Sequence, residues 1–253
     1  MNSFGKIWKG RMLFIGMSIF ALAMVSCSDD DESTGETDGA ITEEEAAEAI
    51  SMSVSPESGG MVEQTSQAIY TIEGTAPESS KVEDYSCGEE YGSSYSISGQ
   101  SGNITYSANL TWDWIIDCDS DLNPTTADFE LTGTVNYDGP RISSDGSTNA
   151  SMNIINLEKD APSYLVNESY TVSGSQESFV RNENSFTSSI ELSTTDLNIL
   201  KSNHNVTSGT IYASFVGETS NGNTYNYNGT LVFTGNQTAT LTMGSGNTYE
   251  LAW

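Results

Sequence analysis

Apolar and polar residues alternate with a period of two over most of the chain beyond about residue 92. The longest example covers residues 104–118, where even positions are apolar or small and odd positions are mostly polar. Such alternation is typical of a β-strand with one buried and one solvent-facing side. At about 3.3 Å per residue this strand would extend roughly 50 Å, so we expect it to bend or to contain a bulge.

The same pattern recurs to the C-terminus in segments separated by turn residues such as Asp138-Gly139 and Gly235-Asn236. Adjacent strands joined by such short turns must be antiparallel. The inward-facing positions of the later segments include Phe129, Leu131, Val135, Tyr137, Ala150, Met152, Ile154, Tyr170, Val172, Phe186, Ile190, Leu192, Ile211, Ala213, Phe215, Leu231, Phe233, Ala239, Leu241, Met243, Tyr249, Leu251 and Trp253.

About nine strands of this kind predict an all-β fold with one antiparallel β domain over residues 65–253. The nearly consecutive hairpins favour a meander whose sheet curls into a barrel-like shape. A two-sheet β-sandwich is the alternative. The pattern leaves open whether side chains fill the inside of a curled sheet.

Residues 42–64 predict one short helix and a linker ahead of this domain. Thr42 and Glu45 have the spacing of a capping box, and an alanine-rich stretch follows them. Pro56 and the glycines at 59–60 end the helical signal. Residues 62–72 fit neither a helical nor a strand period.

Residues 1–26 have the organisation of a secretory signal. Basic residues precede an uncharged apolar stretch of 14 residues at positions 12–25, which is shorter than the roughly 20 residues that span a bilayer. The sequence Met24-Val25-Ser26-Cys27 then resembles the lipobox of bacterial lipoproteins. That resemblance implies cleavage before Cys27 and lipidation of this cysteine, and two or more acyl chains on it would anchor the protein stably to a membrane.

Residues 27–41 form an acidic, Gly- and Thr-rich segment, which predicts a disordered tether. The acidic run at 28–32 is similar to the export signal of surface lipoproteins from Bacteroidota-type (flavobacterial-like) bacteria. The alanine-rich helix, the two later cysteines and the C-terminal meander also resemble small lipoproteins of unknown function from that group. The resemblance implies an outer-membrane location facing the cell exterior, and it implies no activity.

The charge of the chain excludes one class of partner. Its formal net charge is −27, with 35 acidic and 8 basic residues. Removal of residues 1–26 would take away basic residues only, so the mature chain would be more acidic still. Such a surface repels DNA and RNA, and we expect no nucleic-acid partner.

Two cysteines remain after Cys27, namely Cys87 and Cys118. An even pair in an exported protein predicts a disulfide. In the chain-entropy model a loop of this length contributes roughly 3.5–4 kcal/mol to the free energy of unfolding. The bond would tie the segment before the first hairpin to the end of the tryptophan-rich strand.

The sequence contains no nucleophile elbow, no zinc-protease motif and no phosphate-binding loop. The single histidine, His204, lies in a polar, turn-like stretch and has no partner histidine with which to bind zinc. We therefore expect a loop role for His204, no cofactor and no enzymatic activity.

Two groups of residues are candidate binding sites. Trp112 and Trp114 share one strand face and could stack on a ligand, although an apolar stripe of this kind is more often core. Asp117, Asp119 and Asp121 are weak calcium candidates. They lack the glycine of an EF-hand loop, so an ordinary acidic loop is the simpler interpretation.

These observations favour a lipid-anchored, surface-exposed β domain that binds a glycan, a small apolar ligand or an envelope partner. A structural or assembly component of the outer envelope is one alternative. A hydrolase that uses carboxylates is the other, although no pair of acidic residues stands out from the rest.

Overall fold

The alternating segments form ten strands in one antiparallel sheet, seen in a computed structural model that describes residues 39–74, 85–180 and 183–253. The strands pair in sequence order, and the first and last strands are not paired with each other. Their bounds are β1 Glu90–Ser101, β2 Ile104–Cys118, β3 Pro124–Asp138, β4 Ile142–Ile155, β5 Ser163–Ser178, β6 Ser185–Leu200, β7 Val206–Thr219, β8 Thr224–Gly235, β9 Thr238–Met243 and β10 Thr248–Ala252.

This architecture confirms the all-β meander and replaces the sandwich alternative with a single sheet. In β2 the even positions from Ala108 to Ile116 are buried, and the odd positions between them are exposed. The irregularity expected for so long a strand is a register shift at Asp117 and Cys118, where β2 pairs with β3. The period-two pattern therefore sets which side of the sheet faces the core.

Two helices precede the sheet, where the sequence predicted one. Helix α1 spans Glu43–Val54 and helix α2 spans Met61–Ile72, with a short 3-10 turn at Pro56–Ser58 between them. The predicted capping box at the start of α1 is present, with reciprocal bonds between Thr42 and Glu45.

The helices belong to the folded domain, which differs from the expected boundary near residue 65. Ile50 and Ile69 are fully buried in the same hydrophobic core as the inward-facing strand residues. In α2, Gln64 and Thr65 take up core positions although they are polar, because each hydrogen-bonds a buried side chain of β5. Polar residues at buried positions hide the helical period of this segment.

Contacts of α1 show how strongly the sheet curls. Glu43 accepts hydrogen bonds from Ser245 and Asn247 in the β9–β10 turn, while Glu48 pairs with Arg141 in the β3–β4 turn. The two glutamates are only about 7.5 Å apart along a helix. In a flat sheet, β4 and β9 would lie about 24 Å apart. The sheet therefore curls around α1, which covers the end where these turns lie.

Helix α2 runs through the interior towards the opposite end of the sheet. Near its start, Gln64 bonds Tyr170 in the middle of β5. At its C-terminal cap, Glu73 accepts a hydrogen bond of 2.8 Å from the hydroxyl of Tyr164 near the beginning of β5. The inside of the curled sheet is thus occupied by the protein's own helix.

The predicted disulfide between Cys87 and Cys118 is present, with a Cα–Cα distance of 5.7 Å. It joins the segment before β1 to the end of β2, as the sequence indicated. The backbone N–H of Gly88 also donates to the carbonyl of Ile116 at 2.9 Å. Together these contacts hold the edge strand β1 at its beginning.

The proposed signal segment, Cys27 and most of the tether lie outside the described residues. Among the residues that are described, neither helix is long and apolar enough to cross a membrane.

Candidate functional site

An apolar groove of about 280 Å³ opens at the end of the sheet that α1 covers. Its wall on the helix side is formed by Ala47, Ser51 and Met52. The rest comes from the start of β2, the β3–β4 turn and strand β10. The groove exists because the curl of the sheet brings its last strand to the same helix that contacts the β3–β4 turn.

The floor of the groove is hydrocarbon. Ile142 and Leu251 are 2% and 9% exposed, and Met52 packs against the same core. Gly139 helps to keep the space open, because a Cβ atom there would lie 3.8 Å from Cε of Met52 and 3.7 Å from Cγ1 of Ile104. An apolar ligand in this groove would cover surface that is otherwise exposed to water.

The charged side chains of the groove already have partners. Glu48 and Arg141 form an ion pair, and Arg141 also lies 3.4 Å from a carboxylate oxygen of Glu44. Glu250 accepts hydrogen bonds of 3.0 Å from the hydroxyl of Thr240. A ligand could therefore bind beside Glu48 and Arg141 without desolvating an unpaired charge, whereas Glu250 is hydrogen-bonded only to a neutral hydroxyl.

Trp112 and Trp114, the predicted aromatic candidates, lie in the core and not on an open surface. They are 1% and 5% exposed. Trp112 stacks on Tyr95 with ring centroids 5.8 Å apart, and Trp114 stacks on Phe129 at 5.5 Å and on Tyr91 at 5.9 Å. Both indoles thus join the edge strand β1 to the central sheet, which is the core role that the apolar stripe favoured.

The three calcium candidates are not gathered into one site. Within the described ranges, no group of three or more Asp, Glu, His or Cys side chains is arranged to hold a metal ion. The Asp119 carboxylate instead accepts hydrogen bonds from the backbone N–H groups of Asp121 and Asn123, both at 2.9 Å. Bonds from Asn123 hold the pKa of Asp119 below its usual value. Asp119 thus stabilises the β2–β3 loop, while Asp117 is an exposed residue of β2, next to its last residue.

His204 lies in the β6–β7 turn, as expected for a loop residue, and it contacts the end of α2. Its Nε2 is 2.9 Å from Oε2 of Glu73, close enough for an ion pair but outside hydrogen-bond geometry. Its ring meets the edge of Tyr70 with centroids 4.8 Å apart. Tyr164 donates to the other oxygen of Glu73. The cluster attaches the turn to α2.

A buried carboxyl group, Glu168 in β5, was not identified from the sequence. It is 4% exposed, and burial raises its pKa to about 8. One carboxyl oxygen lies 2.7 Å from the hydroxyl of Thr65, and the other has no hydrogen-bond partner. Its position was detectable, because Glu168 shares the inward parity of Val166 and Tyr170.

No family model, curated protein or solved structure matches the chain.

Proposed function

We propose that this protein is a lipoprotein, anchored through Cys27 and displayed on the outer membrane, whose β domain binds a small apolar ligand. The observation that carries the binding proposal is the groove between α1, the β3–β4 turn and β10. Its floor is hydrocarbon, and its one cation, Arg141, is paired with glutamates, which are features of a site for an apolar molecule.

The charge of the protein narrows the ligand class. The chain carries a formal charge of −27, and acidic Glu48 and Glu250 flank the groove with only Arg141 of opposite sign. An anionic amphiphile would be repelled by this field. We therefore infer an uncharged or cationic apolar ligand.

The groove can be tested with the neutral fluorophore N-phenyl-1-naphthylamine, whose emission rises in apolar surroundings. We expect saturable binding to the folded domain and loss of binding in Ser51→Phe, because the new ring would fill the groove from α1. Ser66→Phe is the matched control. Ser66 is also a half-buried helical serine whose hydroxyl bonds the carbonyl four residues earlier, but it lies on α2 outside the groove.

Absence of saturable binding, or equal binding by Ser51→Phe and the unsubstituted protein, would overturn the groove assignment. Thermal unfolding of both variants separates blocked binding from lost folding. If Ser51→Phe does not fold, Ala47→Leu adds a smaller side chain to the same wall of the groove. The affinity of this variant for the fluorophore should fall in proportion to the space that the new side chain removes.

The anchor is tested separately in the native host. Metabolic labelling with an alkyne analogue of palmitate should mark the protein, and Cys27→Ser should abolish the label. Protease treatment of intact cells should release the β domain if it faces outward. A domain that is protected until the cells are lysed would contradict surface display.

A further inference from the structure

The outer face of β7 from Thr210 to Val216, of β8 from Asn226 to Thr234 and of β9 carries no charged side chain, in a chain with 35 acidic residues. Two glutamates lie at its borders: Glu218 near the end of β7, and Glu250 on β10, whose carboxylate accepts hydrogen bonds from Thr240. Elsewhere on the sheet, acidic residues such as Asp113, Glu130 and Glu191 lie on the outer face. We call this surface the neutral face. Its residues are Thr210, Tyr212, Ser214, Val216, Asn226, Asn228, Thr230, Val232, Thr234, Thr238, Thr240 and Thr242.

The neutral face has an exposed aromatic ring on β7, the first of its three strands. Tyr212 is 61% exposed, the highest value among the exposed aromatic side chains of the described residues. It is paired across the strands with Thr230, which in turn faces Thr242. Two aliphatic side chains of the same face, Val216 and Val232, are 41% and 44% exposed.

Beside the ring is a shallow depression of about 360 Å³. Tyr212, Asn228, Thr230 and Thr242 line it. It is bounded at one end by Gly244, which has no side chain to fill it. The surface therefore combines a flat aromatic ring with hydroxyl and amide groups that can donate and accept hydrogen bonds.

This combination fits one class of ligand better than others. A polyanion is repelled by the rest of the protein, and a polycation would be attracted to the acidic faces and not to this one. A neutral sugar ring has an apolar C–H face that can stack on Tyr212, and hydroxyl groups that match the Thr and Asn side chains. We propose that the neutral face binds an uncharged glycan, with a pyranose ring stacked on Tyr212.

This site lies on the outer face of the sheet, and none of its residues lines the groove beside α1. The two binding proposals can therefore fail independently of each other.

Affinity gel electrophoresis tests the proposal with soluble laminarin, xyloglucan, galactomannan and dextran, with polygalacturonate as the acidic comparison. We expect at least one neutral polysaccharide to retard the protein and polygalacturonate not to. Tyr212→Ala should weaken the retarding interaction by about tenfold or more. Tyr212→Phe keeps the ring and should retain most of the binding.

Phe179→Ala is the matched control, because Phe179 is 41% exposed and lies outside the neutral face. It should bind as the unsubstituted protein does. The proposal is overturned if no neutral polysaccharide retards the protein, if polygalacturonate retards it equally, or if Phe179→Ala weakens binding as much as Tyr212→Ala. A dimer that Tyr212→Ala dissociates, without any glycan binding, would identify the face as a self-association surface and would also overturn it.

Discussion

The side-chain oxygen of Thr65 in α2 lies 2.7 Å from a carboxyl oxygen of Glu168 in β5 and 2.8 Å from the carbonyl oxygen of Met61. A hydroxyl group has one proton to donate. Both contacts are satisfied together when Thr65 donates to Met61 and a protonated Glu168 donates to Thr65. The raised pKa of Glu168, about 8, agrees with a neutral carboxyl group inside the sheet at pH 7.

The first prediction concerns the pH dependence of stability. The pKa of Glu168 is about 8 in the folded protein, whereas the ordinary value for this side chain is 4.5. Between these values the folded state binds more protons than the unfolded state, so the free energy of unfolding falls as pH rises. The contribution of Glu168 to the free energy of unfolding is fully present below about pH 4.5 and is lost as pH rises to about 8. The free energy of unfolding changes by on the order of a few kcal/mol over this range.

Glu168→Gln removes this titration and keeps the shape of the side chain. We expect the stability of the variant relative to the unsubstituted protein to increase steadily from pH 4.5 to 8 in urea unfolding experiments. Glu191→Gln removes an exposed charge from the neighbouring strand and is the control for general charge repulsion. Equal slopes for both variants would show that Glu168 is not the titrating group.

The disulfide supports the second prediction. Cys87 and Cys118 are 31 positions apart, and in the chain-entropy model such a loop contributes roughly 3.5–4 kcal/mol. The double variant Cys87→Ala/Cys118→Ala should lose about this much in its free energy of unfolding. Reductant should weaken the unsubstituted protein similarly and leave the double variant unchanged. A loss below about 1 kcal/mol would indicate that the unfolded chain is little constrained by the bond.

The strands could be predicted because alternation is a local property of the sequence. Trp112 and Asp113 occupy opposite faces of β2 because successive side chains along a strand point to opposite sides of the sheet. The disulfide could be predicted because few pairings were available. Each of these predictions requires only the types of neighbouring residues or the number of cysteines in the chain.

Features that depend on distant residues were not predictable in this way. Helix α2 was hidden because Gln64 is polar and buried, and its partner Tyr170 lies 106 positions away. The groove joins α1 to a turn near residue 140 and to a strand near residue 250. No local pattern marks such a site, because the curl of the sheet creates it.

A third prediction uses two glycines that face each other across β4 and β5. Gly146 and Gly174 are paired in the sheet, but their surroundings differ. A Cβ atom on Gly174 would lie 2.1 Å from the carbonyl oxygen of Asp145, whereas one on Gly146 would meet its nearest atom at 3.1 Å. The nearest atom is a backbone oxygen at both positions, but only at Gly174 is it so close that the backbone of β4 would have to move.

Gly174→Ala should therefore cost about 3 kcal/mol or prevent folding, while Gly146→Ala should cost about 1 kcal/mol or less. Thermal and urea unfolding of both variants measure the difference. Similar losses for the two variants would mean that β4 and β5 can separate to accept a methyl group at either position.

The fourth prediction concerns the start of α1, which positions one wall of the groove. The N–H of Glu45 donates to the hydroxyl of Thr42 at 3.2 Å, and the Glu45 carboxylate accepts from the N–H of Thr42 at 2.8 Å. Thr42→Ala removes one half of this reciprocal cap and should cost about 1 kcal/mol. Thr42→Ser keeps the hydroxyl and should restore nearly all of the stability.

Ser55 gives the comparison, because its hydroxyl accepts a hydrogen bond from the N–H of Glu57 at the start of a single 3-10 turn. Ser55→Ala should cost less than Thr42→Ala, since fewer hydrogen-bonded residues follow the cap. Because α1 packs against β7, β8 and β9, fraying of its first turn also exposes part of the core. A larger loss for Ser55→Ala would show instead that the turn between the helices, and not the start of α1, limits how firmly the helices are held inside the sheet.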